Sequence, residues 1–184
     1  MPVIVSLLRG VNVGGRQMKM DALRELYESL GLRHAETFLR SGNVICTVTA
    51  RELPSVAARI EKAIEQAFGF SCDVIIRSAA ELREALARNP FAERPGIDPS
   101  KLLVTFLAVD PDPVGSAKVL ALKIDPEELH LDGRTLYGYF PNGLAETKLS
   151  WPSIGKSLKT PATGRNLNTV QKLLALAEQL EASQ

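Results

Sequence analysis

Residues 35–49, AETFLRSGNVICTVT, decide the fold. Two β-prone runs, AETFLR and VICTVT, flank Ser41-Gly42-Asn43, a compact turn signal, so the stretch reads as a β-hairpin. On its N-terminal side VIVSLL (residues 3–8) reads as a buried strand, and Leu23, Leu26, Tyr27 and Leu30 recur at helical spacing up to a stop at Gly31. On its C-terminal side Val56, Ile60, Ala63, Ile64 and Ala67 stripe a second helix ending near Gly69, and CDVIIR (72–77) supplies a fourth strand. The order is β-α-β-β-α-β, the split βαβ or ferredoxin-like arrangement with two helices on one face of an antiparallel sheet.

Ser78-Ala79-Ala80-Glu81 forms a capping box for a short helix that should stop before Pro90. The proline-rich segment NPFAERPGIDPS (89–100) reads as a linker. Beyond it LLVTFLAV (102–109) is a strand, Asp112-Pro113 caps a helix through Leu122, and LHL (129–131) and TLYGYF (135–140), joined by Asp132-Gly133, form a hairpin. Val170, Leu173, Leu174, Ala177 and Leu180 share one face of a last helix. The second half thus begins β-α-β-β as the first does. The expectation is an α+β chain, with a ferredoxin-like unit over 1–90 and a second α+β unit of related topology over 91–184 whose C-terminal helix packs back on the chain.

The 184 residues are 45% hydrophobic and 23% charged with a net charge of +1, which suits a globular protein and argues against disorder. No apolar run reaches the ~18 residues of a membrane span, and residues 1–8 lack the basic start and cleavage site of a signal peptide, so the cytoplasm is the expected compartment. Cys46 and Cys72, the only cysteines, lie in apolar runs and read as buried thiols without a disulfide. His34 and His130 stand far apart with no cysteine beside them, so neither a metal site nor a cofactor is expected.

Between the first strand and helix lies LLRGVNVGGRQMKM (7–20). Its GVNVGGRQ falls short of the G-x-x-x-x-G-K-[ST] phosphate loop, because Arg16 and Gln17 stand where the phosphate-reaching lysine and the magnesium-binding hydroxyl belong. The helix signal begins only at residues 19–21, and the strand belongs to an antiparallel unit rather than the parallel sheet that carries such loops. Gly10, Gly14 and Gly15 then serve chiefly to permit an unusual backbone path.

Charge is segregated. Residues 1–20 hold Arg9, Arg16 and Lys19 with no acid, and residues 148–172 hold Lys148, Lys156, Lys159, Arg165 and Lys172, again with none. The remainder carries a net charge of −7. Both segments are rich in Gly, Asn, Ser and Thr, and brought together they would form a concave anion site. The second contains PATGRNLNTVQKL (161–173), in which Asn168-x-x-Gln171 reads as the N-cap of the last helix. Arg165 sits just ahead of that helix's positive end, where it calls for an anion, either a ligand or a carboxylate of the protein.

Taken together, the 7–43 stretch and PATGRNLNTVQKL resemble the bacterial family called domain of unknown function 1697. The resemblance implies an α+β protein of ferredoxin-like topology with no established activity. It also implies site positions at Arg9, Gly10, Asn12, Gly14, Gly15, Lys19, Ser41, Gly42 and Asn43, and at Thr163, Arg165, Asn166, Asn168 and Thr169. The family commonly has a tryptophan between the two asparagines. Leu167 stands there in this chain, so a packing role carries over and a stacking role does not.

The leading functional expectation is a site for a small phosphorylated or carboxylated ligand, clamped by Arg9 and Arg165, with glycine-loop amides filling its acceptors and Asn12 or Asn166 orienting it. Neither motif contains a carboxylate, His or Cys, so no general base or nucleophile is assigned and whether the protein is an enzyme stays open. Nucleic-acid binding is the alternative, but VIVSLL and VICTVT carry no base-stacking aromatics, leaving only backbone contact through the basic loops. A third reading is a module without ligand, a homodimer through a sheet edge or face, with Trp151 as a core or interface anchor.

Overall fold

The computed structural model describes residues 1–184 as six α-helices and two four-stranded antiparallel sheets. The first half comprises β1 (Val3–Leu8), α1 (Met20–Ser29), β2 (Arg33–Phe38), β3 (Asn43–Thr47), α2 (Val56–Phe68), β4 (Val74–Ser78) and α3 (Ala79–Ala87). The second comprises β5 (Leu102–Leu107), α4 (Pro113–Leu120), β6 (Glu128–Asp132), β7 (Thr135–Tyr139), α5 (Trp151–Leu158), β8 (Ala162–Asn166) and α6 (Leu167–Ala182). The sheets run β2-β3-β1-β4 and β6-β7-β5-β8. Element order and strand order therefore both repeat. By compactness the chain divides into a first unit, Met1–Arg83 with Lys172–Gln184, and a second, Glu84–Gln171.

In the first unit β1 aligns Val5 with Ile45 of β3 and Leu7 with Ile75 of β4. Ile4, Leu8, Val44, Cys46 and Val74 alternate onto the face that packs against Leu23 and Tyr27 of α1 and Ile60 and Ile64 of α2. Each of the Leu, Ile and Val side chains among them contributes roughly 1.5–3 kcal/mol on burial. Val3, Val5, Leu7 and Ile45, on the other face, are buried as well, which is why these strands read as unbroken apolar runs. Helix α2 stops at Gly69, whose left-handed conformation (φ 78°) returns its N–H to the Glu65 carbonyl. The expected capping box at Ser78 is present in both directions: Ser78 N–H donates to Glu81 Oε2 (2.8 Å) and Glu81 N–H to Ser78 Oγ (3.1 Å). Residues 172–184 belong to this unit, where Glu178 receives Arg83 at 2.7 Å.

In the second unit Asp112 caps α4 by accepting the Gly115 N–H at 2.8 Å. Two elements that the sequence reading left out complete the sheet and its cover. Helix α5 is capped by Ser150 with Pro152 in its first turn, and places Ile154 and Leu158 with Leu107, Val119 and Leu136 in the core. Trp151 packs against that cluster, its ring 6.0 Å from Phe140, so here it is a core-side aromatic. Strand β8 pairs with β5 in the register Val104 to Arg165. Helices α4 and α5 cross so closely that a Cβ built on Gly115 would lie 1.7 Å from the Ser157 carbonyl oxygen. Only glycine fits there.

Candidate functional site

The β1–α1 connection, residues 9–19, sits at one end of the first sheet, beside the β2–β3 turn, since Leu7 aligns with Asn43 and the Leu8 N–H donates to the Gly42 carbonyl at 2.8 Å. Its path is left-handed at Gly10, Asn12, Gly14 and Gly15. Val11 and Met18 are buried, and residues 13–17 between them are exposed. Asn12 staples this excursion. Its Nδ2 donates to the Arg40 carbonyl at 2.6 Å, its Oδ1 accepts the Met18 N–H at 2.8 Å, and its own N–H donates to the Arg16 carbonyl at 2.7 Å. The loop is thus tied shut at its base and to the neighbouring turn. The N–H groups of Val13, Gly14 and Gly15 at its tip have no acceptor within the protein.

The other residues expected here divide between support and surface. Gly42 is required twice over, by φ 78° and by Val11, whose Cγ2 would lie 2.5 Å from an added Cβ. Asn43 is buried, donating to the Phe38 carbonyl (2.7 Å) and Ser41 Oγ (3.0 Å), and so shapes the turn. Arg9 pairs with Asp73 at 3.0 Å with both side chains nearly half exposed, a contact worth ~0–1 kcal/mol. Arg16 lies over the Phe70 ring, 5.9 Å from its centre, while Lys19 and Arg40 are exposed. Arg40 was not among the expected site residues. Its sequence position in a turn concealed it, and the Asn12 bond brings it to the loop.

Cys72 also meets this region, its thiol donating to the Arg9 carbonyl at 3.4 Å. Burial pushes that thiol's pKa up, and burial raises Cys46 to about 12, so both remain protonated. They are free and buried.

Thr163, Arg165, Asn166, Asn168 and Thr169 fall in the second unit, on β8 and the first turn of α6. Arg165 is buried, with Nη1 donating to Thr163 Oγ1 (2.8 Å) and to the Gly164 carbonyl (2.9 Å). Asn166, not Asn168, caps α6: its Oδ1 accepts the Thr169 N–H at 2.8 Å. The helix begins two residues earlier than the capping pair suggested because Leu167 is buried inside the first turn, leaving Asn168 exposed. The first half repeats this device. Buried Arg77 donates Nη1 to the Ile76 carbonyl (2.9 Å) directly before the Ser78 cap. The second unit further contains a cavity of about 650 Å³ between α4, residues 122–127 and α5, which no motif announced.

A family model described as "Protein of unknown function (DUF1697)" matches residues 1–137. No curated protein matches the chain. Among solved structures, the conserved bacterial protein SP0830 from Streptococcus pneumoniae superposes with a TM-score of 0.70 over 97% of this chain and 99% of its own, at 22% identity. That likeness is one of fold. With its glycine loop, 41–43 turn and first sheet all inside the matched span, the chain belongs to the family of unknown function DUF1697.

Proposed function

We propose that the first unit binds a small phosphorylated or carboxylated ligand at the tip of the 9–19 loop. One observation carries the reading: Asn12 fastens the loop to the Arg40 carbonyl, and the three unbonded tip amides share an exposed loop with Arg16 and Lys19. Consecutive amides around left-handed residues form a concave donor set that suits oxyanions. Arg9 engages Asp73 through Nη1 and keeps the rest of its donor fork for a ligand. The reading rests on the first unit. Each sheet, with its repeated β-α-β-β-α-β order, supports the ferredoxin-like split βαβ description, and the repeat supports a division of the chain into 1–90 and 91–184.

The test is thermal unfolding of the full chain with phosphate, pyrophosphate, malonate and a short oligonucleotide, comparing wild type with Arg16→Ala and Arg40→Ala. A small anion at 100 times its Kd should raise Tm by roughly 5–10 °C in the wild type, and both variants should lose most of that shift. Absence of any shift with the three small anions refutes the reading. Stabilisation by the oligonucleotide alone, declining steeply with salt, would replace it with nucleic-acid backbone binding.

A further inference from the structure

The cavity of the second unit has a chemistry unlike that of the 9–19 loop. Its floor is apolar, from Val119, Ile124, Leu149 and Ile154. Ser150, Ser153 and Ser157, spaced to share one face of α5, line one wall with hydroxyls. Around them stand charges of both signs, Lys118, Lys123 and Lys148 against Asp125, Glu127 and Glu146. None of these six forms an ion pair with another; Glu127 instead accepts the Thr147 hydroxyl at 2.8 Å. That bond ties the 142–149 segment to the 122–127 segment and holds the walls in place.

Unpaired charges of both signs on an otherwise apolar lining complement a ligand that carries both charges itself, separated by an apolar body. We infer that the α4–α5 cavity is a binding site for a short zwitterionic peptide of dipeptide size with apolar side chains. The ammonium faces the carboxylates, the carboxylate faces the lysines, and the serine stripe offers both donors and acceptors to the peptide bond. A volume of about 650 Å³ lies within the ~300–1,000 Å³ typical of pre-formed small-molecule sites. A lone anion would leave the three carboxylates facing it unmatched, and a lone cation the three lysines.

The experiment is calorimetric titration of the full chain with the dipeptide Leu-Leu, with N-acetyl-Leu-Leu, which lacks the ammonium, and with Leu-Leu amide, which lacks the carboxylate. The expected result is binding of Leu-Leu, weakened at least tenfold by either blocking group. Ser153→Phe, a substitution on the exposed face of α5 that fills the cavity, should abolish binding, and the surface change Lys118→Ala should weaken it. Arg16→Ala, in the other unit, should leave it unchanged. No heat with Leu-Leu overturns the inference. Equal affinity for a blocked analogue overturns the zwitterion class, and binding that survives both Ser153→Phe and Lys118→Ala overturns the location.

Discussion

Replacing Gly115 by alanine sets two physical effects against each other. Glycine in a helix interior costs about 1 kcal/mol relative to alanine, so propensity alone predicts that Gly115→Ala stabilises α4. The structure predicts the opposite sign. An added Cβ would lie 1.7 Å from the Ser157 oxygen and 2.6 Å from its carbonyl carbon, whereas real Cβ atoms essentially never approach within 3.0 Å. The obstacle is the backbone of α5, which cannot rotate away, so the helices must separate by more than an ångström. That separation loosens Val119 against Ile154 and Leu158 in the core. Overpacking of this kind costs ~1–3 kcal/mol and sometimes more, and a rigid backbone obstacle puts it at the upper end. Net of the propensity gain, the loss is about 2 kcal/mol, or a Tm lowered by roughly 4–8 °C. Gly155 of α5 is the internal control, because an added Cβ there meets nothing within 4 Å. Gly155→Ala should therefore stabilise by ~0.5–1 kcal/mol. Thermal and urea unfolding of the two variants read both signs. If Gly115→Ala stabilises as Gly155→Ala does, the close α4–α5 crossing is wrong.

Asn12→Ala removes two side-chain hydrogen bonds and places alanine at φ 55°, so the first unit should lose ~1–3 kcal/mol, and amide exchange should accelerate at residues 12–18 first. Cys46 and Cys72 should resist iodoacetamide at pH 8 in the folded chain and react fully in denaturant, since burial keeps both thiols protonated and covered. The Gly115 N–H, and after it Lys159, hold the Asp112 carboxyl below its ordinary value. A group depressed by folding contributes stability above its unfolded pKa of about 3.9, and that contribution is lost as pH falls through the folded value. Unfolding curves between pH 5 and 2 should show Asp112→Asn with a shallower acid decline than the wild type.

The first half was legible because its signals agree: period-3.6 stripes in α1 and α2, Gly69 at a left-handed stop, and a two-way capping box at Ser78. The hairpin was legible too, but its turn covers residues 39–42, with Leu39 left-handed at φ 60°, so β2 ends at Phe38 rather than Arg40. Leu39 is half exposed and apolar, and nothing local marks it as a turn residue. Elements α5 and β8 escaped for different reasons. Helix α5 is eight residues long with Pro152 and Gly155 inside it, too short to show a period. Strand β8, ATGRN, is an edge strand with little apolar content, held by the β5 ladder rather than by its own propensity. Motifs do not distinguish a side chain that builds a loop from one that faces a ligand. Asn43, Gly42 and Asn166 build, and Arg40 became visible only through a bond from a residue remote in sequence.

The repeat separates what the fold requires from what differs between its halves. Both halves share one strand order and one junction, a buried arginine before a capped helix, Arg77 with Ser78 and Arg165 with Asn166. Features common to both halves are sufficiently explained by the need to build the same sheet twice. The differences lie elsewhere. The connection from the first strand to the first helix spans residues 9–19 in one half and only 108–112 in the other, where Asp112 caps the helix directly. A scaffold that closes this connection in five residues has no architectural need of eleven, four of them left-handed. The extra length is stabilised by an asparagine that closes the loop and ties it to the β2–β3 turn, and long strained connections on a rigid scaffold are where binding residues concentrate. The halves therefore share a strand order and differ in this connection, and it is there, on the part the shared architecture does not require, that the proposed anion site lies.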